Sequence, residues 1–267
     1  MKTEEKLITP ATAEVLLKKN TMNRVLRPMK LSEYERQMKA GLWKEETGEA
    51  IKIATDGAII DGQHRLTALI KANVSLMFLF ITGLEKDVFT VIDSGAVRTS
   101  GDVFHIAGIE NARNIAAGIR TYYMLNVGNK QFHFMRGLSS TEALSLYNKK
   151  PDFWQAAYTM AIGWYGKSAR ILSPSLFAGF YAFFYDIDND DAFEFMSYLG
   201  DGIDLSLENP IRLLRDKLLF AKLNPKFNLI QSVKTSMIIK TWNHFRNKTT
   251  LKILKVDIGR EGYPIAI

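Results

Sequence analysis

Apolar residues recur with two different periods along the chain, and the change comes near residue 108. Before it, apolar residues alternate with polar ones or form short continuous runs, which predicts strands over 50–54, 58–60 and 76–81. Asp56-Gly57, between the first two runs, is a hairpin turn signal. After residue 108 the apolar positions follow helical spacing, except for a partly alternating run at 251–256 that we interpret as a closing strand.

These periods predict an α+β fold with two domains, residues 1–107 and 108–267. We expect an α/β domain with a small mixed sheet in the first and mainly helices in the second. The predicted helices of the second domain are 111–126, 140–148, 152–164, 174–184, 192–199, 210–219 and 230–245.

Helix boundaries are marked by capping residues at several places. Thr9-Pro10 is a cap followed by a proline at the first helical position, and Ser32 with Glu35 has the spacing of a capping box. The acidic run at 186–191 lacks the glycine and the distant glutamate of an EF-hand loop. We therefore expect Asp190 or Asp191 to cap the helix at 192–199 instead of binding calcium.

A polar turn, Asp61-Gly62-Gln63-His64-Arg65, joins an apolar strand to a helix-patterned run. The first amides of a helix have no partners within it and lie at its positive end, which favours an anion. Glycine permits a tight turn, and arginine offers forked donors suited to phosphate. The histidine can take up a proton, and the aspartate can hold a divalent cation. The alternative is an ordinary strand-to-helix turn with a solvated arginine.

A second polar turn follows the apolar pair Val91-Ile92. We predict that Asp93, Ser94, Arg98 and Thr99 face the same pocket as the first motif. Alternatively, Asp93 and Ser94 belong only to a turn, and Thr99 or Ser100 only caps the next helix, predicted over 100–107. Arg24 and Arg27, in an aperiodic loop, either approach a phosphate or pair with local carboxylates or face water.

Composition narrows the class of protein. The chain of 267 residues is 47% hydrophobic and 24% charged, the usual mix for a soluble globular protein, and we expect it in the cytoplasm. The absence of cysteine excludes disulfides and thiolate chemistry. No apolar run reaches the ~18 residues of a membrane span. A net charge of +7 favours acidic partners such as nucleotides or nucleic acid.

The end of the chain concentrates positive charge. Residues 226–255 contain six lysines and one arginine but no acidic residue. Arg246, Lys248, Lys252 and Lys255 are therefore candidates for contact with a nucleic-acid backbone, provided that they share one face. The alternative is an ordinary solvated surface.

Residues 23 to about 105 resemble the ParB/sulfiredoxin superfamily, and more narrowly its D-G-Q-H-R branch, which is common in phage and bacterial proteins. The resemblance rests on Asn23-Arg24, the segment 38–43, the strand at 51–53, the motif at 61–68 and the later block at 92–103. It implies a compact α/β domain whose glycine-initiated helix binds the phosphates of a nucleotide, CTP or ATP, with Mg²⁺. If phage-encoded, the protein would act in the cytoplasm of a bacterial host.

The resemblance also assigns roles to residues. Gly62 matches the family's glycine, Arg65 its last arginine, and His64 the histidine of sulfiredoxins. Gln63 stands where sulfiredoxins have the attacking cysteine and ParB proteins a glutamate, so neither chemistry transfers directly. Asp61 and His64 remain as catalytic candidates, with Asp61 and Asp93 as metal ligands.

Three functions follow as hypotheses. The first is Mg²⁺-dependent nucleotide hydrolysis or phosphoryl transfer linked to phage or bacterial DNA metabolism. The second is a DNA-binding module with or without nuclease activity. The third is a non-enzymatic regulator that binds a nucleotide or a host factor, with the aromatic helix near 177–184 either an interface or simply core. A homodimer is compatible with each.

Overall fold

The computed structural model describes residues 1–20, 26–45, 47–85, 99–131, 137–227 and 229–267, with side chains for all of these except 128–131 and 225. The chain divides into two compact units, Met1–Arg98 and Thr99–Ile267. The fold is α+β, as predicted: one small mixed sheet is described, and the remaining regular structure is helical.

The first unit contains a four-stranded sheet of β1 (Lys2–Ile8), β2 (Ile51–Ala54), β3 (Ile59–Asp61) and β4 (Leu76–Leu84), in the order β1-β4-β2-β3. β4 pairs in parallel with β2 and antiparallel with β1, and β2 forms the expected hairpin with β3. β1 was not predicted, because five of its seven residues are polar and it occupies an exposed edge without alternation.

Among the residues that the structure describes, three helices accompany the sheet: α1 (Pro10–Leu17), α2 (Pro28–Lys39) and α3 (Gln63–Ala72). Thr9 caps α1 as predicted, since its hydroxyl accepts a hydrogen bond from the amide of Thr12. The capping box predicted at Ser32 is wrong. α2 begins one turn earlier, at Pro28, whose fixed φ suits the first helical position, and Ser32 lies inside the helix.

The core of this unit lies between α3 and the sheet. Leu66, Ala68 and Leu69 of α3 are fully buried and belong to one apolar cluster with residues of β2, β3 and β4. This packing fixes the end of β3 against the beginning of α3, which is where the polar motif lies.

The second unit is helical throughout its described regular structure. Its α-helices are α4 (Ser100–Ile106), α5 (Ala112–Gln131), α6 (Ser140–Lys149), α7 (Pro151–Lys167), α8 (Pro174–Tyr185), α9 (Asn189–Asp201), α10 (Pro210–Leu223), α11 (Gln231–Arg246) and α12 (Ile258–Glu261). A short 3₁₀ turn, Pro225–Phe227, follows α10.

Two expectations for this unit are wrong. Residues 251–256 form no strand, because Leu254 is buried in the helical core and Leu251 and Val256 pack against it. α9 is capped by Asp188, whose carboxylate accepts from the amides of Asp190 and Asp191. The helix therefore begins earlier than the apolar spacing indicated.

The aromatic helix α8 is core. Phe177, Phe180 and Phe184 have no exposed surface, and the ring of Phe184 stacks on that of Trp242 at 4.2 Å between centroids. Among the described residues, no helix is both long and apolar enough to cross a membrane.

Candidate functional site

The candidate site is the turn from β3 to α3. Gly62 is the residue before the helix, with φ +110° and ψ 1°. A Cβ at this position would lie 2.4 Å from Cδ1 of Ile51. Glycine is therefore required here for two reasons: the backbone is left-handed, and β2 leaves no space for a side chain.

Arg65 is turned back into the domain. It is only 7% exposed, and its guanidinium donates to Oδ2 of Asp61 at 2.9 Å. It also donates to the carbonyl oxygens of Glu49 and Ala50, at 2.5 and 2.9 Å. The arginine thus ties the first turn of α3 to the chain entering β2, and a phosphate would have to compete with these acceptors.

Asp61 faces two cations. In addition to its bond with Arg65, its Oδ2 lies 3.9 Å from Nζ of Lys52. Both the Lys52 and Asp61 side chains keep some exposure, 26% and 21%. Two cations around one carboxylate leave a positive local charge, which favours an anion at this turn.

His64 is held as a hydrogen-bond acceptor. Its Nε2 accepts from the backbone N–H of Arg27 at 2.9 Å, and the ring is 8% exposed. An imidazolium carries hydrogens on both nitrogens and cannot accept, so this bond requires a neutral ring with its proton on Nδ1. The contact links the first turn of α3 to the first turn of α2.

Gln63 has two roles in fixing the same turn. Its side-chain oxygen accepts from the amide of Asn20 at 3.0 Å, and its backbone carbonyl accepts from the hydroxyl of Thr67 at 2.7 Å. Gln63 is therefore a buried hydrogen-bonding residue that holds the turn in place.

The first turn of α3 is rigid and chemically suited to an anion. Its three polar side chains are buried and hydrogen-bonded, and the residue before the helix, Gly62, has no side chain with which to cap it. A helix start of this kind directs backbone N–H groups and partial positive charge at the same point. Among the described residues no group of three histidine, aspartate or glutamate side chains is arranged to hold a metal ion.

Of Arg24 and the candidates in the second polar turn, the structure describes Thr99 alone. Arg24, Asp93, Ser94 and Arg98 lie outside the described residues. Thr99 is the N-cap of α4 and forms a capping box with Asp102, the alternative considered from the sequence. The hydrogen bonds that Asp102 accepts from Thr99 lower the pKa of its carboxyl group.

The basic residues near the end of the chain divide into two groups. Arg246 pairs with Asp191 at 2.9 Å and Asp188 at 3.5 Å, so its charge is used within the chain. The remaining candidates, Lys248, Lys252 and Lys255, are exposed.

Several groups that support the motif were missed from the sequence: the side chains of Asn20 and Lys52, the backbone amide of Arg27 and the carbonyls of Glu49 and Ala50. They come from other elements, and nothing in their spacing relates them to the motif. Comparisons of this chain with protein-family models, with curated proteins and with solved structures found no match.

Proposed function

We propose that the unit Met1–Arg98 is a nucleotide-binding domain of ParB/sulfiredoxin type, which holds the phosphates of a nucleoside triphosphate at the first turn of α3. The observation that carries the proposal is the positive charge at this turn: Lys52 and Arg65 both lie beside Asp61 at the start of α3, where the buried side chains of the first turn are held by hydrogen bonds. Donors fixed in advance lose little entropy when an anion binds. The resemblance of the motif supports a nucleotide as the anion.

The positive charge beside the turn supports the same ligand. Lys52 is partly exposed next to Asp61, and Arg65 already neutralises that carboxylate. An approaching phosphate therefore meets one net positive charge together with the helix dipole. Arg65 acts in this proposal mainly by holding Asp61 and the turn in place.

The proposal includes Mg²⁺ that arrives with the nucleotide. Such an ion keeps several waters and takes one or two carboxylates from the protein besides the phosphates. Asp61 would supply the carboxylate, and the ion would neutralise phosphate charge. Asp93, the other proposed ligand, lies outside the described residues.

The geometry favours binding over turnover. His64 is neutral and accepts from Arg27, Asp61 is paired with Arg65, and Gln63 cannot act as a base. Each candidate for proton transfer thus already serves an internal bond. Hydrolysis or phosphoryl transfer is the second candidate, since positioning and charge neutralisation can suffice for that chemistry, and Asp61 would position the attacking oxygen.

Calorimetric titration with ATP, CTP and GTP, each with Mg²⁺, tests the proposal. We expect saturable heat for at least one of them, and affinity lower by on the order of tenfold in Lys52→Glu. Lys71→Glu, an equal charge change in the last turn of α3, is the matched control and should bind like the parent. Absence of heat for all three nucleotides with folded protein would refute the proposal, as would equal weakening in both variants.

A further inference from the structure

The second unit contains a long stretch without negative side chains. From Lys217 to Val256 the chain has no aspartate or glutamate, and it has nine basic residues: Lys217, Lys222, Lys226, Lys234, Lys240, Arg246, Lys248, Lys252 and Lys255. Lys240 pairs with Glu261 at 3.2 Å and Arg246 with Asp191 at 2.9 Å, and the exposed lysines that remain attract an anionic partner.

An exposed aromatic patch lies within this stretch. It consists of Phe220, Leu223 and Phe227, which are 53%, 68% and 63% exposed. Phe220 and Leu223 lie one turn apart on α10, and Phe227 belongs to the 3₁₀ turn that follows. The two phenylalanine rings contact each other, with centroids 5.4 Å apart and planes at 49°.

Lysines accompany the patch on both elements. Lys217 and the exposed Asp216 precede Phe220 by three and four residues, and both therefore lie on the same side of α10 as this ring. Lys226 is exposed beside Phe227, and Lys222 is exposed near Leu223, with its ammonium group donating to the carbonyl of Ala169 at 2.6 Å. Apolar rings and positive charges are thus presented together at the end of α10.

We infer that the patch of Phe220, Leu223 and Phe227 is a binding surface for single-stranded nucleic acid. Unpaired bases stack on exposed aromatic rings without regard to sequence, and nearby lysines neutralise the phosphates. Charge complementarity favours this occupant over a second copy of the chain, which would bring two basic surfaces together. The surface lies entirely in the second unit and is independent of the nucleotide site proposed for the first.

The test is fluorescence anisotropy of a labelled oligothymidylate titrated with the full chain. We expect binding that weakens steeply with salt. The double variant Phe220→Ala/Phe227→Ala should lower affinity by roughly tenfold or more, because it removes both rings on which bases would stack. Phe193→Ala, which removes a ring that is 51% exposed on α9, is the matched control and should bind like the parent.

A charge variant separates stacking from electrostatics. Lys226→Glu should weaken binding and reduce its dependence on salt, whereas Lys149→Glu, at an exposed site on α6, should do neither. No binding by the parent, or equal binding by the double variant and the Phe193→Ala control, would overturn the inference. Vesicles containing phosphatidylserine and light scattering complete the test. The inference would also be overturned if the two rings were needed for vesicle binding or for dimerisation but not for binding of oligothymidylate.

Discussion

The guanidinium of Arg65 and the carboxylate of Asp61 form a 2.9 Å ion pair across the turn that joins β3 to α3. The same guanidinium bonds to the carbonyls of Glu49 and Ala50. One buried side chain therefore holds the end of a strand, the start of a helix and the chain entering β2. The shape of the proposed phosphate site depends on this pair more than on any direct contact that Arg65 makes with a ligand.

Arg65→Met tests the structural role of the pair. It removes the donors of two carbonyls and leaves the partly buried Asp61 without its nearest cation, so we expect a loss of about 3 kcal/mol from the stability of the first unit. Hydrogen exchange of the amides of β2 and α3 measures the loss. Lys71→Met, at an exposed position of α3, should change the stability of the first unit by less than about 0.5 kcal/mol. Equal rates of hydrogen exchange in Arg65→Met and Lys71→Met would contradict the structural role of the Arg65–Asp61 pair.

Gly62→Ala tests the contact between the turn and β2. The substitution adds a methyl group 2.4 Å from Cδ1 of Ile51 and forces alanine into left-handed backbone, so we expect a cost of about 2–4 kcal/mol. Ile51→Val removes the clashing Cδ1 atom and should recover part of that cost in the double variant.

The control for this prediction is Gly41→Ala. Gly41 also has a positive φ, of +67°, but nothing lies within 4 Å of its Cβ position. Its substitution should cost only the backbone strain, about 1–2 kcal/mol. If the losses of unfolding free energy caused by Gly62→Ala and Ile51→Val simply add in the double variant, the contact between position 62 and Ile51 does not contribute to the cost.

Tyr122 provides a pH-dependent prediction for the second unit. Burial and the hydrogen bond that it donates to Asp186 raise its pKa above the ordinary 10.0. The pKa of Tyr122 is higher in the folded than in the unfolded protein, so the stability that its hydroxyl contributes is fully present below pH 10.0. That stability is lost as the pH rises through the folded-state pKa.

The comparison is between the parent and Tyr122→Phe. The variant should be less stable by about 1 kcal/mol near neutral pH, where the hydrogen bond is intact in the parent. Above pH 10.0 the difference in melting temperature should shrink. A difference that stays constant or grows with pH would contradict the stated role of Tyr122.

Local signals in the sequence predicted much of the fold. The hairpin at Asp56-Gly57 and the cap at Thr9 were predicted because turn chemistry and capping act over a few residues. The edge strand β1 and the apolar residues at 251–256 were misjudged because their state depends on long-range neighbours. A strand needs a partner to pair with, and alternating apolar residues can pack against helices equally well.

The local structure of the candidate site was predicted from the sequence, but the contacts of its side chains were not. A strand, a glycine turn and a helix were all expected at residues 58–66, and they are present. The orientation of Arg65 towards backbone carbonyls, and the bond from the Arg27 amide to His64, join residues 15 to 37 positions apart. Such contacts follow from packing, which residue spacing alone does not encode.

The central claim is that the first turn of α3 binds the phosphates of a nucleotide. The most direct measurement is amide chemical-shift mapping by NMR of the full chain during titration with Mg²⁺-ATP and Mg²⁺-CTP. The claim predicts that the amides of Gln63, His64 and Arg65 show the largest saturable shifts within the first unit. Saturable binding that leaves these three amides unmoved, or no shifts with either nucleotide, would contradict it.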